Sequence, residues 1–117
     1  MVAAAESAVD ALASRGIEIT LYDVRSCVPA DELMIADAAR HCVVVTIEDG
    51  IRDGGVGMML ADLVTNAQGS VHPRVEVLGL PTKFTPQGKP AAILKQLGLD
   101  ADSLTNLLAD LATVKPK

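Results

Sequence analysis

The stretch Cys42-Val-Val-Val-Thr-Ile-Glu-Asp-Gly-Ile-Arg-Asp-Gly-Gly-Val-Gly57, followed at once by Met58-Met-Leu-Ala-Asp-Leu-Val64, decides the fold. It spells a buried strand, a short polar loop ending in a glycine cluster, and an amphipathic helix. Val43, Val44, Val45, Thr46 and Ile47 leave no polar face, which is the pattern of a strand covered on both sides by helices. Val56, Met59, Leu60, Leu63, Val64 and Ala67 then recur at i, i+3, i+4, i+7, i+8 and i+11, forming one apolar stripe along a helix.

Outward from this centre the same alternation repeats. Toward the N-terminus, Val2, Ala5, Val9 and Leu12 predict an amphipathic helix that Arg15 and Gly16 close, a cation in the last turn and a glycine beyond it. Residues 17–22 alternate apolar with polar side chains and predict a strand. Pro29 introduces a helix over residues 30–40, with Asp31 and Glu32 at the end where the helix dipole favours acids, and His41 closes it. Toward the C-terminus come a polar loop over 66–74, a third strand over 75–78 and a connector over 79–88 rich in glycine and proline. Pro90 opens a short helix that Gly98 stops, and Asp100 caps a last helix carrying Leu104, Leu107, Leu108 and Leu111, with residues 115–117 expected to fray.

Strands separated by helices imply an α/β fold with a mostly parallel open sheet flanked by helices. A chain of 117 residues is the size of one domain, with no internal repeat, so residues 1–117 are expected to form a single domain. The series opens on a helix, and a strand is expected upstream of Met1.

Composition narrows the function. Half of the residues are hydrophobic, but there is one Phe, one Tyr and no Trp, so the core is aliphatic. The net charge of -5 repels a polyanion, and the aromatic platforms and basic stripe of a nucleic-acid reader are missing. No apolar run approaches the roughly twenty residues of a membrane-spanning helix, and the N-terminus has no basic leader. Cys27 and Cys42 form neither a disulfide framework nor a Cys-x-x-Cys pair. A cytoplasmic protein with two reduced thiols is expected, without a nucleic-acid or membrane partner.

Gly54, Gly55 and Gly57 lie where a helix N-terminus receives phosphate. Yet they match neither Gly-x-Gly-x-x-Gly nor a Gly-Lys-Ser/Thr loop, and Asp49 and Asp53 bring negative charge to the same place. The glycines serve equally to let a helix approach the sheet closely. Glu48, Asp49 and Asp53 make a metal or acid/base site only if they converge with a further ligand, and neither His41 nor His72 is placed to join them. Glu48 is expected instead to anchor the loop by accepting backbone hydrogen bonds. Arg25, at the carboxyl end of the 17–23 strand, is a candidate ligand contact or, more simply, a structural bridge. Ser26, Ser70 and Cys27 lack a nucleophile-elbow setting, and Met58 and Met59 are expected to fill core. The residues therefore give no catalytic, cofactor-binding or metal-binding set.

Three stretches taken together carry a resemblance. Arg25-Ser-Cys-Val-Pro-Ala-Asp31 resembles the Arg-x-x-Lys-Pro-Leu-Asp turn of transketolase-type C-terminal domains. Val45-Thr-Ile-Glu-Asp-Gly50 with Gly54-Gly-Val-Gly57 is similar to the Val-Thr-Val-Glu-Glu/Asp-Gly and Gly-Gly-x-Gly segments of the 1-deoxy-D-xylulose-5-phosphate synthase family. Leu78-Gly-Leu-Pro-Thr-Lys-Phe-Thr-Pro-Gln-Gly88, with Leu94 to Gly98-Leu99, resembles that family's Leu-Pro-x-Arg-Phe-x-x-His-Gly and Leu-x-x-x-Gly-Leu tail. Val28, Ala30 and Pro86-Gln87 depart from the pattern, so a role that rests on the family's His has no counterpart here.

The resemblance implies the C-terminal scaffold domain of a thiamine-diphosphate-dependent transferase. Such enzymes join a two-carbon unit from pyruvate to glyceraldehyde 3-phosphate, for isoprenoid, thiamine and pyridoxal biosynthesis. Thiamine diphosphate, magnesium and the catalytic residues then belong to upstream domains, and the partners are those domains and a second subunit of a homodimer. The alternatives are the equivalent domain of transketolase or of a 2-oxo-acid dehydrogenase component, a free-standing anion-binding module using Gly54 to Gly57, and a pure interaction domain with an open strand edge.

Overall fold

The computed structural model describes residues 1–113. The elements in order are α1 (Val2–Ala13), α2 (Glu32–Ala38), β1 (Val43–Ile51), α3 (Val56–Thr65), β2 (Arg74–Leu80), α4 (Pro90–Gln96) and α5 (Ala101–Ala112). They fall into two compact units, one made of residues 1–21 and 83–113, the other of Tyr22–Thr82.

The unit Tyr22–Thr82 is a βαβ arrangement with α2 added. β1 and β2 run parallel, with Val43 opposite Arg74, Val44 opposite Val75 and so on to Ile47 opposite Leu78. The ladder then breaks and resumes at Ile51 opposite Leu80, so β1 uses four residues where β2 uses two. The extra length is a bulge over Glu48, Asp49 and Gly50, and a bulge re-aims the side chains within it. β1 therefore runs through the stretch that the sequence assigns to a polar loop. Its side chains are half-buried at best, not covered on both sides as the apolar run suggests. Ala38, Ala39 and Val64 are buried together, with Tyr22, Ile35, Val44 and Ala67 packed around them.

The α/β class and the parallel sheet match the sequence expectation, but the sheet has two strands, not three. Residues 17–22 show the alternation that suggested a strand, with Ile17 and Ile19 half-buried and Glu18 and Thr20 exposed, yet they join no ladder. Alternation records which side chains are covered. A strand also needs a hydrogen-bonding neighbour, and this segment instead leads from one unit to the other.

Helix ends follow local chemistry. Asp31 lies outside α2 as its N-cap, its carboxylate accepting from Leu33 N at 2.8 Å and Met34 N at 3.2 Å. This starts α2 two residues later than the periodicity suggests. In the other unit Gly98 (φ +72°) turns the chain after α4, and Asp100 caps α5 by accepting from Ser103 N at 3.3 Å. That contact with Ser103 lowers the Asp100 carboxyl below its usual value, against a smaller opposing effect of burial.

In the unit of residues 1–21 and 83–113, α1 packs on α5. Ala5, Ala8 and Leu12 on α1, Leu104 and Leu111 on α5, and Leu99 before it make the core, with Leu12 and Leu104 at 0% exposure. Truncation there leaves a cavity, so Leu104→Ala is expected to lower unfolding free energy by about 2–5 kcal/mol. Leu33 is 82% exposed, and Leu33→Ala is expected to change it by no more than about 0.5 kcal/mol. Urea unfolding followed by circular dichroism measures both.

Candidate functional site

In open α/β sheets, ligands gather at the carboxyl ends of the strands. In Tyr22–Thr82 that place holds the bulge of β1, the loop to α3, the first turn of α3 and the end of β2, and most of the candidate charges are there.

The bulge aims Glu48 at the start of α3. Its Oε1 accepts the hydrogen bond donated by Gly57 N at 2.9 Å. A helix N-terminus has unpaired N–H groups and a partial positive charge, and an anion is its natural complement. Here that anion is the chain's own carboxylate. The glycines make the contact possible. A Cβ on Gly57 would lie 2.7 Å from Thr46 Oγ1 and 3.1 Å from Glu48 Oε1, and one on Gly55 would run into Ile51 O and Glu48. Thr46 Oγ1 is buried beneath this turn without a hydrogen-bond partner among the described residues. The Gly57 N–H that a phosphate would use is thus already engaged by the chain's own carboxylate.

The other loop groups pair with one another. Arg52 donates from Nε to Val77 O at 3.0 Å and from Nη1 to Asp53 Oδ1 at 2.8 Å, while its backbone N bonds Leu80 O at 2.8 Å. Asp53 also accepts from Thr82 Oγ1 at 2.7 Å. The Thr82 hydroxyl first, and the Arg52 guanidinium second, hold the Asp53 carboxyl below its usual value. Asp49 is exposed, whereas Glu48 is half-buried. Glu48, Asp49 and Asp53 thus do not converge, and among the described residues no three His, Cys, Asp or Glu side chains come together to hold a metal.

The remaining candidates are scattered. Arg25 bonds Asp23 at 2.9 Å in a loop and its side chain is 87% exposed; the strand it was expected to end is absent. His41 and His72 are exposed. Cys27 is half-buried and Cys42 exposed, both as free thiols. Ser26 Oγ donates to Pro29 O, and Ser70 Oγ accepts from His72 N. Met58 is 43% exposed, so it does not fill core; its sulfur accepts from Gly54 N instead. In the other unit an open apolar groove of about 300 Å³ runs between Ala4, Ala91, Leu94 and Leu99, with no cluster of reactive groups in its lining.

Besides Thr82 with Asp53, a second pair escaped the sequence. Tyr22 Oη donates to Asp37 Oδ2 across fifteen residues. Burial of the ring, then the Asp37 hydrogen bond and charge, push the Tyr22 phenol up from 10.0 to about 12. The only local signal was a lone tyrosine in an aliphatic sequence.

Compared with known proteins, residues 1–104 match the family model described as transketolase, C-terminal domain. The chain is 36% identical over 102 residues to the 1-deoxy-D-xylulose-5-phosphate synthase of Thermobifida fusca, covering 87% of this chain and 16% of that enzyme. It is 39% identical over 111 residues to that of Thermomicrobium roseum, covering 93% of this chain and 17% of the enzyme. Against that of an Arthrobacter species it is 38% identical over 95 residues, covering 81% and 14%. The chain spans about a sixth of the length of the curated relatives it matches.

Two measurements check this geometry. Glu48→Ala strands the Gly57 N–H and is expected to cost about 1–2 kcal/mol in urea unfolding, with Glu48→Gln costing less because its carbonyl still accepts. Absorbance at 295 nm follows the single tyrosine, expected to titrate near pH 12 and to move back toward 10 in Asp37→Asn. The folded chain keeps the phenol proton more tightly than the unfolded one. The stability that goes with the protonated phenol, from its burial first and the Asp37 contact second, is therefore intact below pH 10 and lost as the pH rises through about 12.

Proposed function

Because the chain belongs to the transketolase C-terminal domain family, we propose that it serves as the C-terminal scaffold domain of a thiamine-diphosphate-dependent transferase of the 1-deoxy-D-xylulose-5-phosphate synthase type. In that role the chemistry, the transfer of a two-carbon unit from pyruvate to glyceraldehyde 3-phosphate with loss of CO2, takes place on other domains. This chain supplies a folded surface for them and for a second subunit, in the cytoplasm. The family model crosses both compact units, which supports treating them as parts of one domain. No helix among the described residues is long and apolar enough to cross a membrane.

The observation that carries the scaffold assignment is the Glu48 carboxylate seated on the N-terminus of α3. A diphosphate needs donors and positive charge, and the Gly57 N–H that it would use is already bonded to Glu48. Arg52, the cation of this loop, is engaged by Asp53 and Val77. The residues present do not fit thiamine diphosphate with magnesium. The same contact speaks against a free-standing anion-binding module.

Calorimetric titration of the purified chain with thiamine diphosphate and magnesium, and separately with inorganic phosphate, is expected to give no binding heat up to millimolar ligand. Micromolar binding of either would mean that Glu48 yields its place and that the chain holds a site of its own.

A further inference from the structure

The chain crosses between its two compact units twice, entering one of them at Tyr22 and leaving it at Thr82. Each crossing residue makes a side-chain hydrogen bond back into that unit. Tyr22 Oη donates to Asp37, and Thr82 Oγ1 donates to Asp53, twenty-nine residues away. Every other hydrogen bond between two side chains of the described residues joins positions one to four apart. The long-range pairs therefore fall at the two ends of one unit and nowhere between them.

Both bonds lie at the surface and place a hydroxyl on a carboxylate, a stronger arrangement than one between neutral groups. Each is also tied into its surroundings. The Tyr22 ring packs against the Ala38, Ala39 and Val64 cluster. Asp53 is gripped by Arg52, which in turn bonds the carbonyls of Val77 and Leu80 on β2. Folded chains open locally in roughly contiguous cooperative blocks. Without Thr82 fixed, the next residues to peel away are Pro81 and Leu80, and Leu80 closes the last pairing of the sheet.

We infer that Tyr22–Asp37 and Thr82–Asp53 are latches closing the unit Tyr22–Thr82 at both ends, so that opening of residues 1–21 and 83–113 halts there and does not run into the sheet. Nothing in this depends on the proposed scaffold role, since it concerns how the chain opens and not what it binds.

Hydrogen exchange of the whole chain, followed residue by residue by NMR, tests the latches. In the wild type, amides of Tyr22–Thr82 are expected to exchange as one class and those of α1 and α5 as another. Thr82→Val is expected to speed exchange at residues 77–80 and at Arg52 by about fivefold, leaving α1 and α5 within a factor of about two. Thr82→Ser, which keeps the hydroxyl, is expected to match the wild type. Tyr22→Phe is expected to act in the same way at residues 39–41, with Asp37→Asn as the substitute if Tyr22→Phe does not fold. A single exchange class over both units would overturn the inference. So would valine and phenylalanine variants that match the wild type, a serine variant that behaves like valine, or protection lost equally in α1 and α5.

Discussion

The hydrogen bond from Gly57 N to Glu48 Oε1 sets the geometry of the unit Tyr22–Thr82. Side chains alternate along a strand, so fixing Glu48 toward α3 puts Thr46 and Val44 on the same side and sends Val43, Val45 and Ile47 to the other. Thr46 and Val77, opposite each other in the ladder, both lie against Gly57. Val44 reaches the cluster built on Ala38, Ala39 and Val64. One contact between a carboxylate and a helix end thus selects which face of the sheet α3 covers. Gly55 and Gly57 are needed because any larger residue would collide with the groups that make the contact.

The same contact decides the chemistry. A glycine-led helix after a strand is the arrangement used to hold phosphate, and the difference lies in what already occupies the helix end. Here the occupant is covalently part of the strand, so a soluble anion competes against a carboxylate held in place at no cost in translational entropy. The polar residues that look like a site in one dimension are, in three, the fastening of a loop.

Much of this was legible in the sequence because it depends on neighbours. The α3 stripe, the proline at the start of α4, the Asp100 cap and the Gly98 stop are fixed by residues within one or two turns of each other. The position of Glu48 was legible too, since the glycines of the helix start lie within nine residues of it. What failed depends on pairing. Residues 17–22 have a strand's alternation but no ladder partner, and β1 extends past Ile47 because a bulge lets it rejoin β2 at Leu80. Tyr22 with Asp37 and Thr82 with Asp53 span fifteen and twenty-nine residues, and no periodicity in the sequence encodes such separations.

The two units also differ in what holds them. Leu12, Leu99 and Leu104, the largest fully buried side chains, all belong to residues 1–21 and 83–113. In Tyr22–Thr82 the buried Ala, Val and Leu residues are Ala38, Ala39, Leu60 and Val64, two of them alanines. Burial stabilises in proportion to apolar area, and an alanine brings little of it. A unit with so small a core leans more on its ladder and on side chains that tie its ends. Four carboxylates accept such ties in that unit, Asp31, Asp37, Glu48 and Asp53, against Asp100 at the start of α5 in the other. These four are better explained as the polar counterpart of a thin core than as a catalytic set: each sits where a helix end, a bulge or a chain crossing has a donor that the packing alone leaves unmet.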